Sequence, residues 1–405
     1  DLWVNEADRQ DVVVEQTKRL LHTVFINKHT PKAPYTIGGI LGLPLINLSA
    51  PEKTAQGLSF VTGISLLSVA ADDLRPYEQD RLKKLKLEEL DLNDPYAIIE
   101  LYKRHIKASK HTSSFGADWV KFIHPVTGRI HSKFHQYGTN SGRITATKPN
   151  VLQIPRAKDS RAAFKEIPGR KVISADYSGM ELVILAELSQ EPVWLKALNN
   201  NEDLHSVVAT LIYGKPVSKT VNAHLRQYAK SLNFGLAYGL TPTALFRKEP
   251  SLGNLDACRS LFNLYWEKLP RLAAFLTKCA EDGIANRYAE CAFTGRKDYF
   301  IKFDFSNPGE YKHAMNVSKN YKPQAGNVAI TKRALIELRK AFKTQNLDAM
   351  LVNCVYDEIV VSVSETQAEY VEGLMKQIMI DAGKYYIKTV PVAVEIETLD
   401  AWSKP

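Results

Sequence analysis

The stretch 350-MLVNCVYDEIVVSV-363 restricts the possible folds of this chain more than any other segment. Two runs rich in β-branched residues flank Asp357 and Glu358, which is typical of two strands joined by a tight turn. The pattern therefore predicts a β-hairpin with the acidic pair at its tip. A single Asp at a strand end is more often a turn or cap residue, so the hairpin alone does not identify a site.

A second acidic segment, 171-KVISADYSGMELVILAELS-189, combines the pattern of a buried strand with that of a helix. The run VISA is rich in β-branched residues and GMELVILAEL has helical spacing, so Asp176 falls at the end of the predicted strand. If Asp176 and Asp357 end adjacent strands of one sheet, they could hold two divalent ions about 4 Å apart, the arrangement used for in-line phosphoryl transfer. The spacing also fits two unrelated turn residues, and both interpretations stay open.

The segment 225-LRQYAKSLNFGLAYGL-240 carries two cations and then two aromatic residues at a constant four-residue interval. These residues are Arg226, Lys230, Phe234 and Tyr238. Each step of four turns about 400° around an α-helix, so the sequence predicts one continuous stripe on a helix. Gly235 and Gly239 behind the rings predict room for a ligand to approach the backbone. The stripe suits a nucleotide, although solvated cations and core aromatic residues show the same spacing.

The charge balance favours a polyanionic partner. The 405 residues include 53 Lys and Arg against 44 Asp and Glu, a net charge of +9, which makes nucleic acid the leading candidate. Helices are predicted at residues 8–28 and 94–112. The polar loop 131–156 offers Arg143 and Arg156 as bidentate phosphate donors. A solvated face is the simpler interpretation of each basic run taken alone.

The four cysteines are scattered, without CxxC or His-paired zinc spacing. We therefore expect reduced thiols in a reducing compartment. The sequence contains no recognisable signal peptide and no apolar run of bilayer-spanning length, so we expect an intracellular protein without a membrane partner. The chain begins at Asp1, as expected of a trimmed or processed chain or of part of a longer polypeptide.

The three segments described first resemble the motifs of family A DNA polymerases, the polymerase I type. DYSGMELVILAELS is similar to motif A, RQYAKSLNFGLAYG to motif B with its RxxxKxxxxFGxxYG pattern, and VYDEIVV to motif C. Four further segments resemble sequences of the same family: INLSAPEK, TNSGRITATKPNVLQIPR, NYKPQAGN and VPVAVEIETLDAW. Seven matches in the family's order make the resemblance specific.

The resemblance implies an α+β fold, the right-hand polymerase with an antiparallel palm sheet, helical fingers and a helical thumb. The expected segments are palm at residues 1–19, 116–190 and 321–405, thumb at 20–115 and fingers at 191–320. The implied activity is template-directed DNA synthesis by a two-metal mechanism, in replication or repair. The implied partners are primer-template DNA and deoxynucleoside triphosphates.

The resemblance also implies roles for individual residues. Two Mg²⁺ ions, for which Mn²⁺ can substitute, would be held by Asp176, Asp357 and the backbone carbonyl of Tyr177. Lys230 would be catalytic as well, protonating the leaving group. The nucleotide site would comprise Arg226, Lys230, Phe234, Tyr238, His205 and Glu181, with Glu181 crowding the sugar 2′ position. The DNA would contact Arg143, Asn150, Gln153, Gln324 and Tyr356.

This sequence departs from the family pattern at three positions. Tyr356 precedes Asp357 where a His is usual, Val183 stands in place of an Arg in motif A, and Leu152 stands in place of a Gln. None of the three belongs to the expected metal-binding pair. We therefore expect them to affect fidelity or template preference rather than the chemical step.

No DxE-type acidic site precedes the expected thumb, so the sequence predicts a polymerase domain without a recognisable 3′–5′ exonuclease domain. An exonuclease or processivity factor would then be a partner. Two other functions stay open. A single-subunit phage-type RNA polymerase shares the right-hand fold, although Glu181 and Phe234 favour deoxynucleotides. A catalytically inactive DNA-binding protein is of a different class, although intact Asp176, Lys230 and Asp357 argue against it.

Overall fold

The computed structural model describes residues 2–27, 48, 50–155, 158–236 and 238–403. The chain divides into two units, one of residues 1–129 and 243–254 and one of residues 130–242 and 255–405. The helices of residues 1–129 are α1 (Leu2–Asn27), α2 (Pro51–Thr62), α3 (Ala71–Leu74), α4 (Asp80–Lys83) and α5 (Pro95–Phe115).

Helices α1 and α5 confirm the two predicted near residues 8–28 and 94–112 and pack against each other. Helix α5 begins after Asp94, whose carboxylate accepts a hydrogen bond from the amide of Tyr96 at 2.9 Å, and Pro95 occupies the first position, where a missing amide hydrogen costs nothing. Leu21 of α1 and Ile98 of α5 are fully buried in the core of this unit. An apolar face on each helix therefore stabilises the pair.

The basic run of α5 serves the fold of this unit in part. Arg104 binds Glu100 at 3.0 Å and donates to the carbonyls of Leu85 and Leu82 at 2.8 and 2.6 Å. Lys103 pairs with Glu78. Helix α5 has four Lys and Arg residues. Two of them thus have structural partners, while the other two, Lys107 and Lys110, are exposed.

The second unit contains both helices and strands. In chain order the elements of the second unit are β1 (Lys133–His135), β2 (Thr145–Thr147), α6 (Lys158–Ala162), β3 (Arg170–Tyr177), α7 (Met180–Ser189), α8 (Pro192–Asn199), α9 (Leu204–Tyr213), α10 (Ala223–Gly235), α12 (Leu255–Lys268), α13 (Pro270–Asn286), β4 (Tyr288–Glu290), β5 (Lys297–Tyr299), α14 (Pro308–Thr344), β6 (Ala349–Val355), β7 (Glu358–Ser364), α15 (Ala368–Lys384) and β8 (Val394–Leu399). Helix α11 (Pro242–Lys248) follows α10 in the chain but, except for Pro242, belongs to the first unit.

A four-stranded antiparallel sheet, in the order β6-β7-β3-β8, carries both acidic segments. The predicted hairpin is confirmed as β6 and β7, with Glu358 already the first residue of β7. Helices α7, α14 and α15 contribute to the apolar core beside the sheet, where Ile173, Ile184, Ile330 and Met375 are fully buried. The strand and helix predicted across residues 171–189 are confirmed as β3 and α7.

Helix α14 spans 37 residues and contains Pro323 within the segment NYKPQAGN. It contacts α7, α13, α15 and β6, so one long helix connects several parts of this unit. Across the described residues, no helix combines bilayer-spanning length with a sufficiently apolar sequence.

Candidate active site

Pairing between β3 and β7 brings the two predicted acidic residues to the same end of the sheet. Asp176 lies opposite Glu358 in the register, and Asp357 precedes Glu358 in the turn between β6 and β7. Directly opposed residues on antiparallel strands have Cα atoms about 4.5–5.5 Å apart, so the two aspartates are near neighbours. The side-chain amide of Asn327, on α14, donates to Oδ2 of Asp357 at 3.1 Å. The sheet thus assembles two carboxylates from distant parts of the chain.

A third carboxylate, that of Glu358, is held by internal contacts. Nη1 of Arg161 lies 3.2 and 3.1 Å from its two oxygens, and the hydroxyl of Ser174 and the indole of Trp402 donate to Oε1 at 2.8 and 2.7 Å. Glu358 is 3% exposed, and a buried charge is very unfavourable without such partners. Glu358 therefore anchors the hairpin.

Helix α10 presents the first three residues of the predicted stripe but not the fourth. The helix ends at Gly235, so Arg226, Lys230 and Phe234 lie on it. Tyr238 lies in the turn that follows. The prediction of one helical stripe through all four residues is therefore wrong.

The end of α10 follows from the turn at Gly239 and from the close approach of a residue on α14. Gly239 has a φ of +76°, and a β-carbon there would lie 2.5 Å from the side chain of Asn316, so neither the conformation nor the space suits a larger residue. The amides of Tyr238 and Leu240 both donate to the carbonyl of Gly235 at 2.9 Å. The chain therefore turns away from the helix axis and carries Tyr238 to a different cluster.

Arg226 is held by a carboxylate from the neighbouring helix. Its Nε and Nη2 donate to the two oxygens of Asp203 at 2.7 and 2.8 Å. Asp203 also caps α9, accepting from the amide of Ser206 at 2.9 Å. Burial alone would raise the pKa of Asp203, but the hydrogen bonds from Arg226 and Ser206 outweigh it and hold that pKa well below its usual range. The pair stays charged and orients Arg226.

His205, on α9, follows Asp203 by two residues and is 8% exposed. Its ring centroid is 5.4 Å from that of Phe234, and its Nδ1 is 2.9 Å from Nδ2 of Asn233. Burial, together with the positive charges of Arg226 and Lys230, lowers the pKa of His205 to about 4, against the opposing effect of Asp203. The imidazole is therefore neutral at neutral pH.

Glu181, near the start of α7, joins a second cluster. It forms an ion pair with Arg143, Nη2 to Oε1, at 2.7 Å, and it accepts a hydrogen bond from the hydroxyl of Tyr238. The guanidinium of Arg143 lies 5.1 Å from the ring centroid of Tyr356, and Gln324 hydrogen-bonds with Tyr238. Burial raises the pKa of Tyr238, and the adjacent Glu181 raises it further. Five predicted site residues from five segments thus meet here.

The three departures from the family pattern lie in different environments. Val183 is 4% exposed and packs in the core beside the sheet, and Leu152 is 7% exposed. Tyr356 is 47% exposed. Of the three, Tyr356 is the one placed to meet a ligand directly.

The other predicted DNA contacts are more scattered. Asn150 accepts a hydrogen bond from the amide of Leu152 at 3.2 Å and so caps the short helical turn Val151–Gln153. Gln153 is exposed. Arg156 lies outside the described residues.

The contact network adds residues to which the sequence analysis assigned no role, among them Asp203, Asn233, Asn327, Arg161 and Trp402. Asp203 had a local signal, because Asp before an apolar helical run is a typical N-cap. The others meet their partners through the tertiary fold, as Arg161 and Glu358 do across 197 residues of sequence.

Comparisons with known proteins agree with this geometry. A family model described as DNA polymerase family A matches residues 47–404. DNA polymerase I of Borreliella burgdorferi is 29% identical over 318 residues, which cover 77% of this chain and 34% of that protein. DNA polymerase I of Pseudomonas aeruginosa is 28% identical over 362 residues, covering 88% of this chain and 38% of that protein. The chain therefore spans little more than a third of the length of these relatives.

A solved structure supports the same fold. The POL domain of Pol1 from M. smegmatis, in complex with DNA primer-template and dNTP, aligns with a TM-score of 0.77 at 23% identity, covering 99% of this chain and 66% of that one. The α+β polymerase fold expected from the sequence is thereby confirmed.

Removing Arg161 tests the anchor at the hairpin tip. Arg161→Met leaves the buried carboxylate of Glu358 without its counter-charge, and breaking a buried pair costs about 3–5 kcal/mol. Chemical denaturation should show the free energy of unfolding lowered by that amount. Lys340→Met, which removes an exposed pair with Glu337, should cost less than about 1 kcal/mol.

The double variant Arg161→Met/Glu358→Gln separates the pair from its buried charge. It removes both charges and should regain much of the stability lost in Arg161→Met. A single variant as stable as the wild type would show that the pair does not hold the hairpin.

Proposed function

Because the chain belongs to DNA polymerase family A, we propose that it is a template-directed DNA polymerase that extends a primer 3′-hydroxyl with deoxynucleoside triphosphates. The observation that carries this proposal is the convergence of Asp176 and Asp357 at one end of an antiparallel sheet. Cationic and neutral donors on α9 and α10, and a carboxylate on α7, supply the complementary groups. Phosphoryl transfer depends mainly on positioning and charge neutralisation, which these groups can provide.

We assign the regions of the chain to the parts of a polymerase hand on the same basis. Residues 1–19, 116–190 and 321–405 form the palm, residues 20–115 the thumb and residues 191–320 the fingers. The four-stranded sheet supports the palm assignment, and α9 and α10 support the fingers. Residues 28–47, within the assigned thumb, lie outside the described residues, and the boundary between residues 19 and 20 falls within α1.

The donor set at the sheet end fits magnesium. Mg²⁺ usually binds through one or two carboxylates, substrate phosphates and water, and Asp176 and Asp357 supply two carboxylates while Glu358 is held by Arg161. The backbone carbonyl of Tyr177 is the third protein ligand in this assignment. Among the described residues, no group of three or more His, Cys, Asp or Glu is arranged to hold a metal, which fits a site completed by substrate. When bound, two Mg²⁺ ions supply the Lewis acidity that activates the primer hydroxyl and stabilises the leaving pyrophosphate.

The nucleotide is bound from the fingers. Arg226, Lys230 and His205 contact the triphosphate, and Phe234 packs against the sugar and base. Arg226 is held by Asp203 with its remaining donors available to phosphate, and His205 adds a neutral donor. Exposed Lys230 is the group that can protonate the leaving pyrophosphate.

The cluster around Glu181 selects the sugar and receives the DNA. Glu181 occupies the space beside the sugar 2′ position, and Tyr238, its hydrogen-bond partner, lies at the templating position. Arg143, Gln324 and Tyr356 approach the primer end from the same cluster, and Asn150 and Gln153 contact the DNA separately. The contacts between Glu181, Arg143 and Tyr238 support this assignment, since the residues assigned to the sugar, the primer end and the templating position touch one another.

We further propose that the protein works in a reducing compartment. All four cysteines are buried and free, so the fold makes no use of disulfides.

Primer extension with magnesium is the decisive experiment. DNA and RNA templates, each tested with deoxynucleotides and with ribonucleotides, separate a DNA polymerase from a phage-type RNA polymerase. Extension with deoxynucleotides is expected. Duplex binding without extension would instead indicate a catalytically inactive DNA-binding protein.

Charge removal at the sheet end tests the metal assignment. Asp176→Asn and Asp357→Asn keep the side-chain shape, and each should slow extension by about a thousandfold or more, because metal stabilisation of the transition state is worth several kcal/mol. Duplex affinity should change little, since it rests on many phosphate contacts. Asp348→Asn, at the opposite end of β6, is the matched control. Near-normal turnover in either site variant would contradict the assignment.

Two substitutions of Glu181 separate bulk from charge in sugar selection. Glu181→Ala opens the space beside the 2′ position and should lower the preference for deoxynucleotides by about tenfold or more. Glu181→Gln keeps the bulk of the side chain and should retain most of the preference for deoxynucleotides. The measurement is the ratio of kcat/KM for a deoxynucleotide and its ribonucleotide. An unchanged ratio in Glu181→Ala would place the gate elsewhere.

The ring of Phe234 predicts discrimination against chain terminators. A dideoxynucleotide lacks the 3′-hydroxyl, and phenylalanine has no polar atom to replace it. Phe234→Tyr would restore a hydrogen bond to a charged group, typically worth about 1.5–3 kcal/mol, or about one to two decades in selectivity. The ratio of incorporation efficiencies for a deoxynucleotide and its dideoxy analogue should move accordingly, while natural substrates gain little. A ratio that stays constant would remove Phe234 from the sugar site.

A further inference from the structure

Three buried polar side chains on three helices form a hydrogen-bonded chain that ends at His205. The hydroxyl of Tyr265, on α12, donates to Oδ1 of Asn233, on α10, at 2.9 Å. Nδ2 of Asn233 lies 2.9 Å from Nδ1 of His205, on α9. Tyr265, Asn233 and His205 are 0%, 2% and 8% exposed, so bulk water cannot readily exchange with these bonds.

The direction of each bond follows from the chemistry of the groups. An amide oxygen only accepts and an amide nitrogen only donates. Burial raises the pKa of Tyr265 far above its ordinary value, so its hydroxyl keeps the proton that it donates to Oδ1. In the structure the amide of Asn233 faces Tyr265 with Oδ1 and His205 with its NH₂ group, and in this orientation Nδ1 of His205 accepts.

A neutral imidazole carries one proton, so an accepting Nδ1 places that proton on Nε2. We propose that Tyr265 and Asn233 are positioning residues that fix His205 as the Nε2–H tautomer, so that it presents a neutral hydrogen-bond donor to the nucleotide triphosphate. This hydrogen-bonded chain of Tyr265, Asn233 and His205, which we call the relay, goes beyond the assignment of His205 to the phosphates. Its role in nucleotide binding rests on the proposed function.

The charged surroundings of His205 keep the ring neutral. Asp203 favours the protonated ring, whereas Arg226 and Lys230 on α10 disfavour it, and with burial they lower its pKa to about 4. Protonation would place a hydrogen on both ring nitrogens of His205, whichever way the amide of Asn233 is turned. Because the ring is neutral, the orientation of Asn233 decides which nitrogen can donate.

The alternative tautomer would work against phosphate. With the proton on Nδ1, Nε2 would present a lone pair to the anionic oxygens. A hydrogen bond to a charged acceptor would then be replaced by repulsion between lone pair and anion. The hydroxyl of Tyr265, which does not touch the nucleotide in this arrangement, thus influences binding through the proton position.

Nitrogen NMR tests the relay in the protein without nucleotide. The chain has ten histidines, so the ¹⁵N-histidine spectrum is assigned by the signal missing from His205→Gln. Protonated and bare ring nitrogens differ clearly in ¹⁵N shift. The wild type should show predominantly Nε2–H near neutral pH, whereas Tyr265→Phe, which frees the amide of Asn233 to turn over, should show a mixture of tautomers.

Tyr213→Phe is the matched control, because it removes a buried hydroxyl from the last residue of α9. That hydroxyl has no hydrogen-bond partner in the described part of the chain. The control should keep the wild-type tautomer and wild-type kinetics. In Tyr265→Phe the KM for deoxynucleotide should rise by about fivefold to tenfold with a much smaller change in kcat, since ground-state binding is what the donor provides.

The outcomes separate the relay from the proposed function. A wild-type signal of the Nδ1–H form, or an unchanged tautomer in Tyr265→Phe, would overturn the relay even if the protein is an active polymerase. A shifted tautomer with unchanged KM, in Tyr265→Phe and in His205→Ala alike, would overturn its role toward the triphosphate. If the wild type extends no primer, the proposed function fails, and the spectrum still decides the relay.

Discussion

The carboxylate of Glu358 is buried where β3 meets β7, where Arg161 balances its charge and Ser174 and Trp402 donate hydrogen bonds to it. Shifting the strand pairing by one residue would turn Glu358 to the other face of the sheet and separate it from these donors. The ion pair therefore favours one register, and in that register Asp176 lies beside the turn that carries Asp357. An interaction that contacts no substrate thus determines where the two candidate metal ligands meet.

The same use of opposite charges recurs away from the sheet. Asp203 holds Arg226 through two hydrogen bonds, and Glu181 holds Arg143 through one. In both cases a carboxylate orients a guanidinium before any phosphate arrives, which lowers the conformational entropy lost on binding. Such groups can neutralise a polyanion without large rearrangement.

Local sequence patterns predicted the elements that carry the site. The β-branched runs around Asp176 and Asp357 became β3 and the β6–β7 hairpin, because a strand's alternation and a turn's residues depend on near neighbours. The four-residue interval of Arg226, Lys230 and Phe234 became a face of α10 for the same reason. The interval continues to Tyr238 in the sequence, but the helix does not. Its end depends on Gly239 and on the close approach of Asn316, a residue far along the chain.

The sequence by itself therefore determined the family, the strand and helix that carry each acidic or cationic residue, and the residue types suited to phosphate chemistry. Tertiary structure decided which of them meet. Arg161 pairs with Glu358 across 197 residues of sequence, and Tyr265 reaches His205 through Asn233 across three helices. Such contacts produce no periodic pattern in the sequence, because a hydrogen bond between distant segments depends on how whole elements pack rather than on local spacing. The proton position on His205 is consequently a property of the folded chain.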